Sequence, residues 1–250
     1  MILLNANVDS IMYGPGYGYG YWYYFDWTYL LLIVAALFSV IASVKVNSTF
    51  SKYSRIRSMS GMTGAQTAQM MLQNAGIYDV RIERVSGHLS DHYDPRNKVL
   101  RLSDSTYSDC SVAAVGVAAH ECGHAIQHDV GYGPLVLRST LIPIANVGSR
   151  IGIPLVILGA ILGFHSILIQ IGILVFSISV LVQLVTLPVE INASRRAVKL
   201  LGEHRILSDQ ELPYCRKVLT AAAMTYVAAA ASAVLSLIRL IVLFGNRKKD

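Results

Sequence analysis

His120-Glu121-Cys122-Gly123-His124 combines the residue types and the spacing that a metal-dependent hydrolysis would need. On a helix of about 3.6 residues per turn, two histidines four apart share one face. Their neutral ring nitrogens can then grip one Zn²⁺ at about 2.0–2.1 Å. Glu121 follows the first histidine, beside the position such an ion leaves open. A carboxylate there can take a proton from an attacking water and hand it to a leaving amine. With seven histidines in 250 residues, random placement would produce this pentad in roughly one chain in a few hundred, so chance explains it poorly. Val112 to Ala119 is Val, Ala and Gly throughout, small enough for a helix to sit deep in a core beneath an accessible metal. Cys122, inside the pentad, reads as a small helix filler.

A catalytic zinc takes three protein ligands, and the pentad supplies two. His128 continues the spacing but stands about 12 Å along a straight helix from His120. It is expected near the ligands or as a surface histidine at the helix end. The position ten residues after His120 is Val130, so the distal histidine of a fold-back motif is missing. His88, His92 and His204 stay open as third ligands. Among the glutamates, Glu83 lies in a polar strand pattern, while Glu203 and Glu211 lie in a charged region that reads as solvated. Glu190 differs: Leu187-Pro188-Val189 precedes it and Ile191 follows. A carboxylate embedded there is costly unless it is paired or bound to metal. Its plainer readings are an interfacial glutamate reaching for water, or a partner for Arg195.

These residues must be positioned by a chain that is 54% hydrophobic and 14% charged, too apolar for an ordinary soluble protein of this size. Tyr29 to Val44 carries no charge and, with Trp27 and Thr28, approaches the roughly 20 residues that span a bilayer. Ile151 to Phe164 and Ile167 to Val189 suggest a helical hairpin, whose first arm spans only if Ile142 to Gly148 contributes. Ala221 to Phe244 is a fourth candidate, weakened by its alanines and by Arg239. Lys and Arg accumulate on the cytoplasmic side of membranes. Of 21 such residues, nine lie between Lys45 and Arg101, two are Arg138 and Arg150, and six lie between Arg195 and Lys217. A first helix running inward and a hairpin that goes out and returns put all of these in the cytoplasm. One further crossing would leave Arg247-Lys248-Lys249 outside.

The net charge of +6 does not point to nucleic acid, because the basic residues border the membrane runs, and attraction to anionic lipid accounts for them. Tyr13 to Trp27 is a Gly and aromatic tract, expected to anchor the chain at the outer headgroup level. The start of the chain lacks the basic region of a cleavable signal. Three cysteines without zinc-ligand spacing, Cys110, Cys122 and Cys215, fit a reducing compartment.

Between the membrane runs, Thr63 is placed to cap a helix through Asn74, with Gly76 as its stop. Val80 to Val85 and Lys98 to Leu102 alternate at period two around a turn-rich Asp91 to Asn97, which predicts two strands before the pentad helix. The second strand is a candidate edge for pairing with an extended peptide. Glu190 opens a helical pattern that Gly202 is expected to end.

His120 to His128, His-Glu-Cys-Gly-His-Ala-Ile-Gln-His, together with Leu187 to Ala197, Leu-Pro-Val-Glu-Ile-Asn-Ala-Ser-Arg-Arg-Ala, resembles the YugP-type bacterial membrane-bound neutral zinc metallopeptidases. Asp94-Pro95-Arg96 to Ser103 is similar to that family too, so the likeness covers most of the chain from Thr63 to Leu219. The resemblance implies Zn²⁺ held by His120, His124 and Glu190 in a gluzincin-like set, with Glu121 as the base. More distantly, the Glu190 helix is similar to that of the HtpX and CAAX-protease group, where an aspartate follows the ligand glutamate by four residues. That place is Ser194 here, so Asn192 or Ser194 must supply the orienting hydrogen bond.

The expected fold is mainly α: multi-pass membrane helices with a small α+β zincin-like metallopeptidase domain. Residues 1–26 form the Gly/Tyr-rich segment, 27–45 the first membrane helix, 46–140 the cytoplasmic part with the pentad and 141–189 the hairpin. Residues 190–220 form the helix with the third ligand, 221–244 the candidate fourth membrane segment and 245–250 a basic tail. The expected function is a zinc endopeptidase of the bacterial plasma membrane, with its site on the cytoplasmic face and peptides or membrane proteins as substrates. His128, Arg195, His204 and several tyrosines are candidates to hold the oxyanion. Two rival readings are a metal-binding membrane scaffold or sensor without turnover, and a zinc protease that cuts inside the bilayer. The sequence leaves the oligomeric state open.

Overall fold

The computed structural model describes residues 26–163 and 166–245. Most of the Gly/aromatic tract and the basic tail therefore lie outside the described residues, as do residues 164 and 165 of the hairpin turn. Four helices are long and apolar enough to cross a membrane: α1 (Tyr29–Tyr53), α5 (Gly133–Ile161), α6 (Ser166–Glu203) and α7 (Leu212–Phe244). Helix α5 begins well before the apolar run that marks it in sequence, and carries Pro143 and Pro154 inside it. Ile142 to Gly148 thus belongs to the same helix as Ile151 to Ile161. Helices α5 and α6 approach until backbones touch, for a Cβ on Gly148 would stand 2.5 Å from the Val175 carbonyl oxygen.

The apolar run Ile167 to Val189 and the helix of Glu190 are one uninterrupted element of 38 residues, with Pro188 inside. Gly202 does not end it. The helix runs to Glu203, and the left-handed residue that turns the chain is Arg205, at φ 53°. Helix α7 is also continuous, and Arg239 is matched at its far end. Its guanidinium donates to Thr28 Oγ1 at 3.1 Å, lies 3.7 Å from the Asp26 carboxylate and sits 4.5 Å over the Tyr29 ring. The charge that weakens this segment in sequence is thus neutralised at the start of α1.

The remaining elements form a small α+β layer. Helix α2 (Gly64–Asn74) is capped as expected: Thr63 Oγ1 accepts from Gln66 N–H while Gln66 Oε1 accepts from Thr63 N–H, and Gly76 follows at φ 75°. The sheet has three strands, β1 (Arg81–Val85), β2 (His92–Asp94) and β3 (Val99–Ser103), in the order β1-β3-β2. Strand β3 pairs parallel to β1 and antiparallel to β2. The expectation that Lys98 to Leu102 forms an edge is therefore wrong. The stretch read as turn contains β2, which takes that edge and leaves Val99, Leu100 and Leu102 fully buried in the centre. After α3 (Asp104–Tyr107), Ser111 caps α4 (Val112–Asp129) by accepting from Ala114 N–H.

One core joins these pieces to the end of α6 and the start of α7, with Met71, Leu72, Leu100, Val115, Leu201 and Leu207 at its centre. Glu211, expected in solvent, is buried. Its carboxylate accepts from Met59 N–H at 2.7 Å and from the Ser208 N–H and hydroxyl at 2.8 Å, stapling the α6–α7 loop to the segment before α2. Helices α4 and α6 meet at Gly123, where a Cβ would stand 2.7 Å from the Ala193 carbonyl oxygen and 3.1 Å from its Cα. Both obstacles are backbone, so the helices must part to admit a methyl group. Gly123→Ala is expected to cost about 1–3 kcal/mol, read as a lower thermal midpoint in detergent. An unchanged midpoint would mean that the helices do not pack this closely.

Candidate metal centre

Helix α4 presents His120 and His124 one turn apart, with ring centroids 4.7 Å apart and planes at 85°. Helix α6 brings Glu190 against them, so that its Oε2 lies 3.2 Å from His120 Nε2 and 3.5 Å from His124 Nε2. Two donors around a tetrahedral ion at about 2.0–2.1 Å would be about 3.3 Å apart, so these spacings suit a shared Zn²⁺. Each of the three residues offers a ligand atom within 4.8 Å of the others. The imidazoles are 13% and 12% exposed and the Glu190 side chain 2%. Glu190 is therefore not a carboxylate reaching for water, nor does it pair with Arg195. Its other oxygen, Oε1, accepts from Arg138 Nη1 at 3.4 Å, a partner delivered by α5.

Behind the cluster, a second layer fixes which ring nitrogen is free. The Gln127 amide nitrogen faces two acceptors, the Val189 carbonyl at 2.9 Å and Asn192 Oδ1 at 3.0 Å. Its Oε1 is thereby turned to His124 Nδ1 at 3.0 Å. An oxygen there favours a proton on Nδ1, the tautomer in which Nε2 is available as a metal ligand. Ser194 Oγ stands 3.1 Å from Nδ1 of His120 and anchors the other ring, with a hydroxyl that can accept or donate. The position four residues after Glu190 thus does bear on a histidine, through a hydroxyl instead of a carboxylate. Asn192 acts one step further out, receiving Gln127 and, at 2.8 Å, Arg196 Nε. Sequence reasoning missed Gln127 and Arg138. The one signal for Gln127 is its place three residues after His124 on a helix, where side chains meet.

A cavity of about 720 Å³ opens on the cluster, walled by Glu121, His124 and Glu190, by the Asp91 to Arg96 region, by Leu135 to Ile142 at the start of α5, and by Tyr226 of α7. Glu121 is 8% exposed. His128 is not in the cluster. It is exposed at the end of α4, lines the cavity and lies 3.0 Å from the Tyr93 hydroxyl. His92 lines the same cavity, bonded to the Ser90 carbonyl, whereas His88 packs edge-on against Phe50. Exposed His204 and Arg195 do not line it.

Electrostatics divides these groups. Burial pushes the Tyr93 phenol up to about 12, with Asp79, Asp94 and Asp129 adding to it, so Tyr93 stays protonated and able to donate. Asp94 is held down to about 2, by the Asn97 side chain and backbone first and then by Arg101 and Arg96, which fixes the β2–β3 turn as a carboxylate. Burial disfavours a charged His124, yet Glu190 and Glu121 outweigh it and hold the imidazole above the ordinary histidine value. That is the field of a pocket that attracts a cation. Burial also drives the Cys122 thiol upward, and its sulfur faces the Ala68 carbonyl at 3.6 Å, so it is an inert part of the core.

Four span-length apolar helices and a His-His-Glu cluster beside an open cavity are the make-up of a membrane protein with a site able to hold a metal. The chain is a member of the family described as "Putative neutral zinc metallopeptidase", whose model matches residues 28–245. Over 223 residues it is 45% identical to "Putative membrane protease YugP" of Bacillus subtilis (strain 168), an overlap of 89% of this chain and 99% of that protein. The resemblance read from the two motifs holds over most of the chain. No solved structure matches it.

Because Gln127 reaches His124 only through its amide oxygen, Gln127→Leu keeps the buried volume and removes that contact. The variant is expected to fold and to bind Zn²⁺ about 10–100-fold more weakly than the unaltered chain, measured by competition with a fluorescent chelator. Equal affinity would show that the amide does not orient the ring.

Proposed function

We propose that this chain is a membrane-bound zinc endopeptidase that cuts peptide bonds in membrane-associated or misfolded proteins. The observation that carries the reading is the open cavity, which brings Glu121 to the same wall as His124 and Glu190. A purely structural metal site is closed by its ligands, whereas a catalytic one leaves a position free. That geometry supports an enzyme over a scaffold or sensor. The pentad lies on α4, which is not among the four span-length helices, and this favours cleavage at the membrane surface over cleavage inside the bilayer.

His120, His124 and Glu190 would hold the ion through two Nε2 atoms and Oε2. When bound, Zn²⁺ supplies Lewis acidity, lowering the pKa of a water toward about 7 and polarising the scissile carbonyl. Glu121 accepts the proton of the attacking water and delivers it to the leaving amine nitrogen. Arg138 holds Oε1 of Glu190 and so fixes the carboxylate. Arg138, 3.4 Å from Glu190, and Tyr226 are donors on the same cavity wall and would steady the oxyanion. Among the described residues no second strand pairs with β2, so its outer edge can pair with an extended substrate, beside His92 and Tyr93 of the cavity wall. The zincin-like character of the domain rests on this combination of edge strand and pentad helix.

For topology, four crossings are proposed, with α1 and α6 running inward and α5 and α7 outward, which puts the cavity at the cytoplasmic face of the plasma membrane. The distribution of lysine and arginine supports this, as does the contact of Arg239 with Asp26 and Thr28, which puts the end of α7 level with the start of α1.

Glu121→Gln in purified full-length protein is expected to keep its zinc and to lose at least about 10²-fold in chelator-sensitive cleavage of casein. Unchanged turnover would remove Glu121 as the base. Elemental analysis of Glu190→Ala is expected to find most of the zinc gone, and full occupancy would reject this residue as a ligand.

A further inference from the structure

A second cavity, of about 770 Å³, lies between α6 and α7 and shares no wall residue with the first. Its chemistry is graded along the helices. Toward the α6–α7 loop it carries Arg195, Lys199 and Arg216, set among Val198, Gly202 and Leu212. Toward the membrane it is lined by Ile191, Met224 and Val227, of which Ile191 is 39% and Met224 37% exposed. Ile191 lies two residues past the end of the apolar run of α6, and Met224 and Val227 lie three and six residues into that of α7. The change from cationic to aliphatic walls therefore falls where both helices enter the hydrocarbon.

The cations are also free. Among the described residues neither Arg195 nor Arg216 has a carboxylate oxygen within 4.0 Å, and Lys199 has only Glu203 at 3.6 Å, an exposed i,i+4 pair. Exposed pairs of that kind contribute little. Three cations on facing helices over an apolar trough match one anion joined to a long apolar chain. A free phosphate would use only the upper half of the groove, and a neutral lipid only the lower.

We propose that this groove binds a single anionic phospholipid, its phosphate held by Arg195, Lys199 and Arg216 and an acyl chain lying against Ile191, Met224 and Val227. The lipid is a structural ligand at the cytoplasmic headgroup level, and the site does not depend on the peptidase reading. It stands directly behind the candidate metal centre, for Ser194 lines the groove and its hydroxyl bonds His120.

The test uses the full chain, delipidated in detergent and reconstituted into nanodiscs of equal parts phosphatidylcholine and phosphatidylglycerol. Lipids that remain on the protein after release are counted by native mass spectrometry. The expected result is one retained phosphatidylglycerol in preference to phosphatidylcholine, undiminished by excess inorganic phosphate. Replacing two of the three cations, Arg195→Gln with Arg216→Gln, is expected to weaken retention roughly 20- to 30-fold, while the thermal midpoint in phosphatidylcholine alone stays unchanged. The same loss of charge at Lys45 and Lys52 on α1 should leave retention intact. The proposal is overturned if the unaltered chain shows no lipid preference, if phosphate displaces the lipid, or if both double variants lose it equally. If the arginine pair fails to fold, Met224→Glu in the aliphatic half provides the same readout, and full retention there overturns the proposal.

Discussion

A carboxylate packed at 2% exposure just past the apolar run of α6 is the constraint on which this structure depends. Left alone, a buried Glu190 would cost several kcal/mol. Its surroundings offset that with two imidazoles on one oxygen and a guanidinium on the other. None of these partners comes from its own helix. The chain must therefore bring α4 and α5 against α6 at one level, and much of the fold is the means of doing so. Gly123 lets α4 and α6 come to backbone contact. Ala193, Ala197 and Leu201 continue the same buried stripe of α6 into the core, and Glu211 fixes the loop that follows.

The polar groups behind the cluster are ordered in layers, each satisfying the one before. Gln127 and Ser194 face the Nδ1 atoms, Asn192 faces Gln127, and Arg196 faces Asn192. In a low-dielectric setting such a network is costly if any member is unpaired, so its completeness rigidifies the rings. The opposite side of the cluster is a cavity rather than packed side chains. Rigidity behind and space in front is an arrangement suited to chemistry on a bound substrate. Because α6 is one unbroken helix, this platform is mechanically continuous with a helix long and apolar enough to cross a membrane.

Several charges that look misplaced along the chain are matched by distant residues. Arg239 meets Asp26 and Thr28, Glu211 meets Met59 and Ser208, and Arg138 meets Glu190. Arg195 was the near partner in sequence for Glu190, yet five positions along a helix point to another side, and it faces the second groove instead. Arg195 and Arg216 have no such partner among the described residues, and they line the α6–α7 groove beside Ile191 and Met224.

Local patterning determined a good deal of this protein. The pentad, the Thr63 cap with Gln66, the alternation of β1 and β3 and the long apolar runs each depend on residues within a turn or two, so spacing alone reveals them. Glu190 was legible for a related reason, since an acidic group in an apolar run is anomalous wherever the run ends up. Tertiary structure decided what periodicity cannot encode. It put β2, too short to show alternation, on the edge that β3 was expected to form, and it carried α6 through Pro188 and Gly202. It chose Gln127, Ser194 and Arg138 as supports of the cluster. Those choices rest on contacts between residues tens of positions apart, and only the packing of helices against one another sets the distances on which hydrogen bonds and metal ligation depend.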